Sequence, residues 1–215
     1  EETCTEGSNP SSSAILIMTL DILDTLDKVK LNLGCGSKKI EGFINLDKYD
    51  AYKPDLIHDL EKFPYPFEDN SVREILLSHV LEHIGQNPDI FNLIIKELYR
   101  ICIHGAKIDI RVPHPRHDDF IADPTHVRPI TVLGLSLYDK ELNKKWEIEG
   151  AANTPMAIIH DVDFRIKKLT YVLDKKYQDL LKLGKITKEE IEDFSHKYNN
   201  VIREIRIIWE VVKQA

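Results

Sequence analysis

The chain has 215 residues, of which 42% are hydrophobic and 30% charged. This balance suits one globular domain with a sizeable core, and it excludes general disorder, a collagen-like repeat and a disulfide scaffold. The formal charge is −7, but Glu1, Glu2, Glu6, Asp21, Asp24 and Asp27 concentrate it in residues 1–27, so the remainder is close to neutral and offers no basic stripe for a phosphate backbone.

Residues 1–13 are small, polar and rich in Ser, and read as a disordered or added leader, with Met18 a candidate natural start. Ile15, Leu16, Leu20, Leu23 and Leu26 fall near helical spacing, which suits either a short edge helix or an acidic tail. The apolar run there is too short to span a bilayer. It also lacks a positively charged flank and a small-residue cleavage site, so no signal peptide is expected. Cys4, Cys35 and Cys102 are odd in number and widely spaced, and read as reduced thiols in a cytoplasmic setting.

From Lys28 the pattern changes, and residues 28–215 read as one domain. Residues 29–33 form a short apolar strand running into Gly34-Cys35-Gly36. Residues 42–46 form a second strand, ending at Asp47, and residues 55–57 a third, ending near Asp59. Pro64 and Pro66 break the chain. Residues 72–77 read as a fourth strand, followed by Ser78-His79. Asn87-Pro88 looks like a cap with proline at the first helical position. The helix that follows carries Ile90, Leu93, Ile94, Leu98 and Ile101 on one face and is expected to close near Gly105. Residues 107–112 are a fifth strand, stopped by Pro113. Two late segments, 164–173 and 201–212, alternate clearly. Between them, residues 175–200 read as a helical insertion broken at Gly184, with Thr187 a cap. Alternating strands and helices predict an α/β fold, a Rossmann-like doubly wound sheet with helices on both faces and an antiparallel last strand pair.

Ligands in such sheets bind outside the carboxyl ends of the strands. Gly34 and Gly36 allow a sharp turn and close backbone approach. Asp47 suits ribose hydroxyls, and Asp59 can accept from an adenine amino group. The dinucleotide fingerprint G-x-G-x-x-G fails, because Lys39 stands where its third glycine belongs. Asp47 also follows Gly34 by only 13 residues. No phosphate-binding G-x-x-x-x-G-K-[ST] loop is present.

Four segments, Lys30-Leu-Asn-Leu-Gly-Cys-Gly36, Asn45-Leu-Asp47, His58-Asp-Leu60 and Ser78-His-Val-Leu-Glu-His-Ile84, resemble class I S-adenosylmethionine-dependent methyltransferases, notably the small-molecule and glycan-associated group. The resemblance covers residues 28–112 by motif and the remainder by topology. It implies strand order 3-2-1-4-5-7-6 and S-adenosyl-L-methionine as cofactor. It implies Leu33, Gly34, Cys35 and Gly36 beside the methionine part, Asp47 at the ribose, Asp59 and Leu60 at the adenine, and Ser78 and His79 near the sulfonium. One departure is plain: only residues 37–41 separate the glycine turn from the second strand, whereas a parallel crossover normally takes a dozen or more residues.

His79 and His83 stand at the i, i+4 spacing of zinc-binding helices, but Glu82 immediately precedes the second histidine, off the general-base position. The favoured reading is that Glu82 and His83 cap a helix beside the cofactor, with no metal. Residues 114–128 form the densest polar patch, where His114, His117, Asp118, Asp119, Asp123 and His126 offer a general base or divalent-ion ligands. In the resembling group, Asp123-Pro-Thr-His126 borders the acceptor pocket. His117 or His126 is the expected base, oriented by Asp123, with His83, His114, Arg116 and Arg128 facing a small-molecule acceptor. Trp146 and Trp209 read as packing residues, and residues 153–156 as a candidate lid. The competing readings are a non-catalytic cofactor-binding module and a nucleic-acid methyltransferase. The near-neutral body and the lack of an Asn/Asp-Pro-Pro-Tyr/Phe motif disfavour the latter.

Overall fold

A computed structural model describes residues 28–213. The leader and short helix expected within residues 1–27 lie outside the described residues. Seven strands form one sheet in the order 3-2-1-4-5-7-6: β1 (Val29–Leu33), β2 (Ile44–Asp47), β3 (Leu56–Ile57), β4 (Val72–Ser78), β5 (Cys102–Pro113), β6 (Phe164–Leu173) and β7 (Ile202–Val211). The first five are parallel neighbours, and β7 runs antiparallel to both β5 and β6. This is the expected order and the expected antiparallel closure. Leu33 stands opposite Leu46 on one side and Leu77 on the other, which sets the tips of β1, β2 and β4 level.

Helix α1 (Pro88–Ile101) begins as its sequence dictates, with the Asn87 side chain accepting from Asp89 N–H at 2.8 Å and Pro88 at the first position. Its buried face, Phe91, Ile94, Ile95, Leu98 and Ile101, belongs to the same cluster as Leu31 and Leu33, Ile75 and Leu77, Ile108 and Ile110, and Ile205 and Ile207. Each such side chain contributes about 1.5–3 kcal/mol on burial. Trp209 is fully buried in this core and stacks on Phe164 with ring centroids 4.1 Å apart, the packing role expected of it.

Two expectations need correction. Gly105 does not close the helix. The helix ends at Ile101, Cys102 N–H caps Leu98 O, and the chain passes directly into β5. Opposite β4, the register jumps from Val72↔Cys102 to Glu74↔Lys107, so β5 bulges, and Gly105 supplies the bulge's positive φ of 74°. Nor are both sheet faces equally covered among the described residues. The apolar row packs, while the opposite row places Lys30, Glu74, Lys107 and Glu210 in register across four strands. These are partly or fully exposed, with Lys30 Nζ 2.6 Å from Glu74. Opposite charges alternating in register support one another across such a face.

Beyond β5 come four short helices, α2 (Asp118–Ile121), α3 (Val132–Ser136), α4 (Lys140–Ile148) and α5 (Met156–His160). Between β6 and β7 stand α6 (Lys175–Lys182) and α7 (Lys188–Lys197), parted at Gly184 with φ 64°. Thr187 and Glu190 close a capping box at the start of α7. This pair has its own apolar cluster around Ile186, Ile191 and Val201. Cys35 and Cys102 are buried and unpaired. Among the described residues no helix is long and apolar enough to cross a membrane.

Candidate functional site

The tips of β1 and β2 are tied together by one carboxylate. Asp47 Oδ2 accepts from Gly36 N–H at 2.8 Å, and Oδ1 accepts from Tyr49 N–H at 3.0 Å. Cys35 N–H donates to Leu46 O at 2.9 Å, which folds the glycine turn back onto β2. Gly34 has φ 64°, and a Cβ there would lie 2.6 Å from Val80 Cγ2, so only glycine fits on both counts. Burial, and the nearby Asp47 and Asp55 carboxylates, push the Cys35 thiol up and keep it protonated at neutral pH.

Beside this clamp lies a cavity of about 350 Å³. Six of the residues singled out in the sequence line it: Gly34, Asp47, Asp59, Leu60, His79 and His83. Leu33 lies in the core beneath the turn, Cys35 and Gly36 form the turn itself, and Ser78 is the last residue of β4. Sequence reasoning missed Tyr49, Val80, Ile84 and Thr125, which also line the cavity. Tyr49 is 63% exposed, an aromatic side chain two residues past the clamped carboxylate, and that juxtaposition was the available signal.

His79 occupies the left-handed region at φ 58°, which costs a non-glycine residue about 1–3 kcal/mol. Its backbone N–H donates to Arg111 O at 2.8 Å. Its ring spans two carboxylates, with Nδ1 3.3 Å from Glu82 Oε1 and Nε2 3.1 Å from Glu204 Oε2. Its pKa is raised, first by the Glu82 contact and further by Glu204, against the opposing effect of burial.

The polar patch after β5 divides in two. Asp123 and His126 fold over the 3₁₀ turn Leu81–His83, because Val127 N–H and Arg128 N–H both donate to Glu82 O, at 2.8 and 3.2 Å. His83 and His126 then meet with ring centroids 4.5 Å apart. Asp123 Oδ1 accepts from Thr125 N–H and from the Thr125 hydroxyl, at 2.8 and 2.6 Å. Glu82 and His83 cap no helix here. The Glu82 side chain is turned inward and fully buried, and His83 Nδ1 pairs with Thr125 Oγ1 at 2.9 Å.

The other half of the patch turns away from the cavity. His117 Nδ1 accepts from Asp119 N–H at 3.0 Å and caps α2, while Nε2 stands 3.5 Å from Asp174 at the start of α6. It lines a separate cavity with Asp119, Asp174 and Tyr177. His114 Nδ1 accepts from Arg116 N–H at 3.2 Å, and burial, with the neighbouring Arg116 and His117, lowers its pKa. The Arg116 guanidinium donates to Asn199 Oδ1, Ser195 O and His196 O at 3.1–3.2 Å, completing the end of α7. Arg128 donates twice to Gly85 O, at 3.1 and 2.6 Å, and lies over the Phe91 ring at 4.4 Å. His117, expected as the base, and His114, Arg116 and Arg128, expected to face the acceptor, do not line this cavity. These side chains are engaged in holding loops and helix ends.

The chain matches no protein-family profile and no curated protein. Among solved structures, a SAM-dependent methyltransferase from Methanosarcina mazei superimposes with a TM-score of 0.49 at 14% identity, over 87% of this chain and 94% of that one. A SAM-dependent methyltransferase from Archaeoglobus fulgidus superimposes with a TM-score of 0.55 at 16% identity, over 93% of this chain and 94% of that one. At this identity the likeness is one of fold, and the fold is the one that the Archaeoglobus fulgidus methyltransferase adopts.

Proposed function

We propose that the chain transfers a methyl group from S-adenosylmethionine to the oxygen or nitrogen of a small-molecule or glycan-type acceptor. The observation that carries this reading is the clamped Asp47 carboxylate, set at a strand tip on the wall of a cavity of about 350 Å³. Each of its oxygens accepts one backbone N–H and keeps acceptor capacity for a ribose hydroxyl. Asp59 Oδ1 accepts from Glu61 N–H, leaving Oδ2 for an exocyclic amino group. Leu60, Val80 and Ile84 supply an apolar wall for the adenine. Gly34 gives the cofactor's amino-acid part access to bare backbone. The donor set therefore fits an adenosyl group.

When bound, S-adenosylmethionine supplies the activated methyl and its leaving group. The chain's part is to hold the acceptor in line and exclude water. His83 and Thr125 make the polar stretch of the wall and form the acceptor subsite. Asp123 and His126 complete that corner, and the proton of a hydroxyl or amine acceptor passes to His126 Nε2.

Calorimetry with S-adenosylhomocysteine tests the reading. The unmodified chain is expected to bind it, and Asp47→Ala to weaken binding about 10–100-fold through loss of charge-assisted hydrogen bonds. Absence of binding, or an unchanged affinity in Asp47→Ala, overturns the reading. Methyl transfer across a panel of hydroxyl, amine and carboxyl acceptors then separates an enzyme from a binding module.

A further inference from the structure

Glu82 is an anomaly among the described residues. Its side chain is fully buried, and neither carboxylate oxygen has a hydrogen-bond partner. His79 Nδ1 stands 3.3 Å from one oxygen, beyond good hydrogen-bond geometry, while its Nε2 faces Glu204 at 3.1 Å. A buried carboxylate without hydrogen bonds costs several kcal/mol, and His79 faces only one of its two oxygens, so a further cationic partner would be stabilised there. Such a partner has a place. A carboxylate oxygen of Glu82 and one ring nitrogen each of His83 and His126 lie within 4.8 Å of one another.

The hydrogen bonds around both rings fix their tautomers. His126 Nδ1 lies 2.7 Å from Phe120 O, a pure acceptor, so Nδ1 carries the proton. The Thr125 hydroxyl gives its hydrogen to Asp123 Oδ1, so its oxygen accepts from His83 Nδ1–H at 2.9 Å. A neutral ring at either position therefore offers Nε2 to a cation. Imidazoles that bind metals are oriented in this way, by a carbonyl or a carboxylate-backed partner on the other nitrogen. Asp123 Oδ2, 3.9 Å from His126 Nε2, adds a further oxygen at the edge of the group.

We propose that Glu82, His83 and His126 bind a divalent transition-metal cation beside the acceptor subsite. Two imidazoles and one carboxylate suit Zn²⁺ and its first-row neighbours better than Mg²⁺ or Ca²⁺, which prefer oxygen ligands. Around a tetrahedral ion with bonds of about 2.1 Å, ligand atoms stand about 3.4 Å apart, so the three side chains draw together on binding. His83 and Thr125 line the donor cavity, so the coordination positions left open are available to an acceptor oxygen or nitrogen on that side. His126 is then a ligand rather than a base, the cation both orients and acidifies the acceptor, and the acceptor's proton passes to the Asp123 carboxylate at the edge of the group and on to solvent. That use of the open positions rests on the methyl-transfer reading, whereas the cation site does not.

The test is a titration of chelator-stripped protein with Co²⁺, read by visible absorption, and with Zn²⁺, read by calorimetry. The chain is expected to take up one equivalent of each, with a visible cobalt band. Glu82→Gln and His126→Ala are expected to weaken uptake by at least about tenfold. Zinc is expected to raise the melting temperature of the unmodified chain and leave that of Glu82→Gln unmoved. Glu82→Gln conserves size and removes the buried charge, so it keeps the test open if His126→Ala does not fold. No uptake by the unmodified chain, or equal uptake by the folded variants, overturns the proposal. Cobalt uptake in a chain that fails to bind S-adenosylhomocysteine sinks the methyl-transfer reading alone and supports the cation site.

Discussion

The Asn32 side-chain amide donates to the Asn45 side-chain oxygen at 2.9 Å, joining β1 to β2 through two residues that are each 3% exposed. Asn32 Nδ2 also reaches Lys38 O at 2.8 Å. Asn45 Nδ2 reaches Ile40 O and Phe43 O, both at 3.1 Å, and Asn45 Oδ1 accepts from Ile40 N–H at 2.7 Å. Residues 34–43 cross between parallel strands without the usual helix, and these two amides satisfy backbone groups that a helix would have satisfied internally.

Asn45→Ala strips partners from Ile40, Phe43, Asn32 and Asp55 at once. Buried groups left unpaired cost about 1–3 kcal/mol each before relaxation, so a net loss of about 2–4 kcal/mol is expected. For a chain of this size that lowers the melting temperature by roughly 5–12 °C. Urea unfolding measures it directly, and a loss below about 0.5 kcal/mol, the range of ordinary surface changes, would refute the account.

Asp55 supports the same loop from outside. It meets Lys39 Nζ at 2.6 Å, Asn45 N–H at 2.9 Å and Asn45 Nδ2 at 2.7 Å. These contacts, Lys39 foremost, hold its pKa at about 2, below the ordinary 3.8. The folded chain therefore keeps the carboxylate ionised where the unfolded chain has taken up a proton. The stabilisation is full above about pH 4 and is lost as the pH falls through about 2. A carboxyl-carbon NMR titration is expected to show the depressed midpoint, and Asp55→Asn to remove this part of the acid dependence. A midpoint at the ordinary value would contradict it.

The strand tips were readable because each apolar run ends abruptly in Gly34, Asp47 or Asp59, and only sharp turns and polar ends tolerate such a break. The resemblance supplied the strand order. Gly105 misled because glycine marks a helix end and a strand bulge alike, and the register that decides between them is set by β4, some thirty residues earlier. His117 and Arg116 turn from the cavity for a longer-range reason. Proximity to the tip of β5 was correct, but their direction is fixed by Asp174 and Asn199, in a segment with no sequence signal for what it touches. Glu82 looked like a cap because acidic residues favour helix starts. Its burial comes from residues 122–128 closing over it, a tertiary event that local pattern does not record.

Thr187 is expected to matter for the insertion and not for the cavity. Its hydroxyl accepts from Glu190 N–H at 3.1 Å, and Glu190 Oε2 accepts from Thr187 N–H at 2.8 Å. Thr187→Ala removes half of this box, at a cost of about 0.5–2 kcal/mol. Because α6 and α7 pack around their own cluster, the loss is expected as faster amide exchange in Lys188–Lys197. S-adenosylhomocysteine affinity is expected to stay unchanged. A matching loss of affinity would show that the insertion is coupled to the cavity.

Gly34 separates two physical effects within one residue. A side chain there meets both the positive φ of 64° and Val80 Cγ2 at 2.6 Å. The conformational part costs about 1–2 kcal/mol wherever it occurs in an L-residue. The steric part depends on Val80, which also lines the cavity. Gly34→Ala is expected to lower stability and to weaken S-adenosylhomocysteine binding at least about tenfold, since about 1.4 kcal/mol of displacement at the wall suffices for that. In Gly34→Ala/Val80→Ala the clash is relieved while the backbone strain persists. That double variant is expected to recover part of the stability lost in Gly34→Ala relative to Val80→Ala alone, but not all of it. Full recovery would mean that φ carries no strain at this turn, and no recovery would mean that Val80 is not what a side chain at position 34 meets. A thermodynamic cycle over the four proteins distinguishes these outcomes.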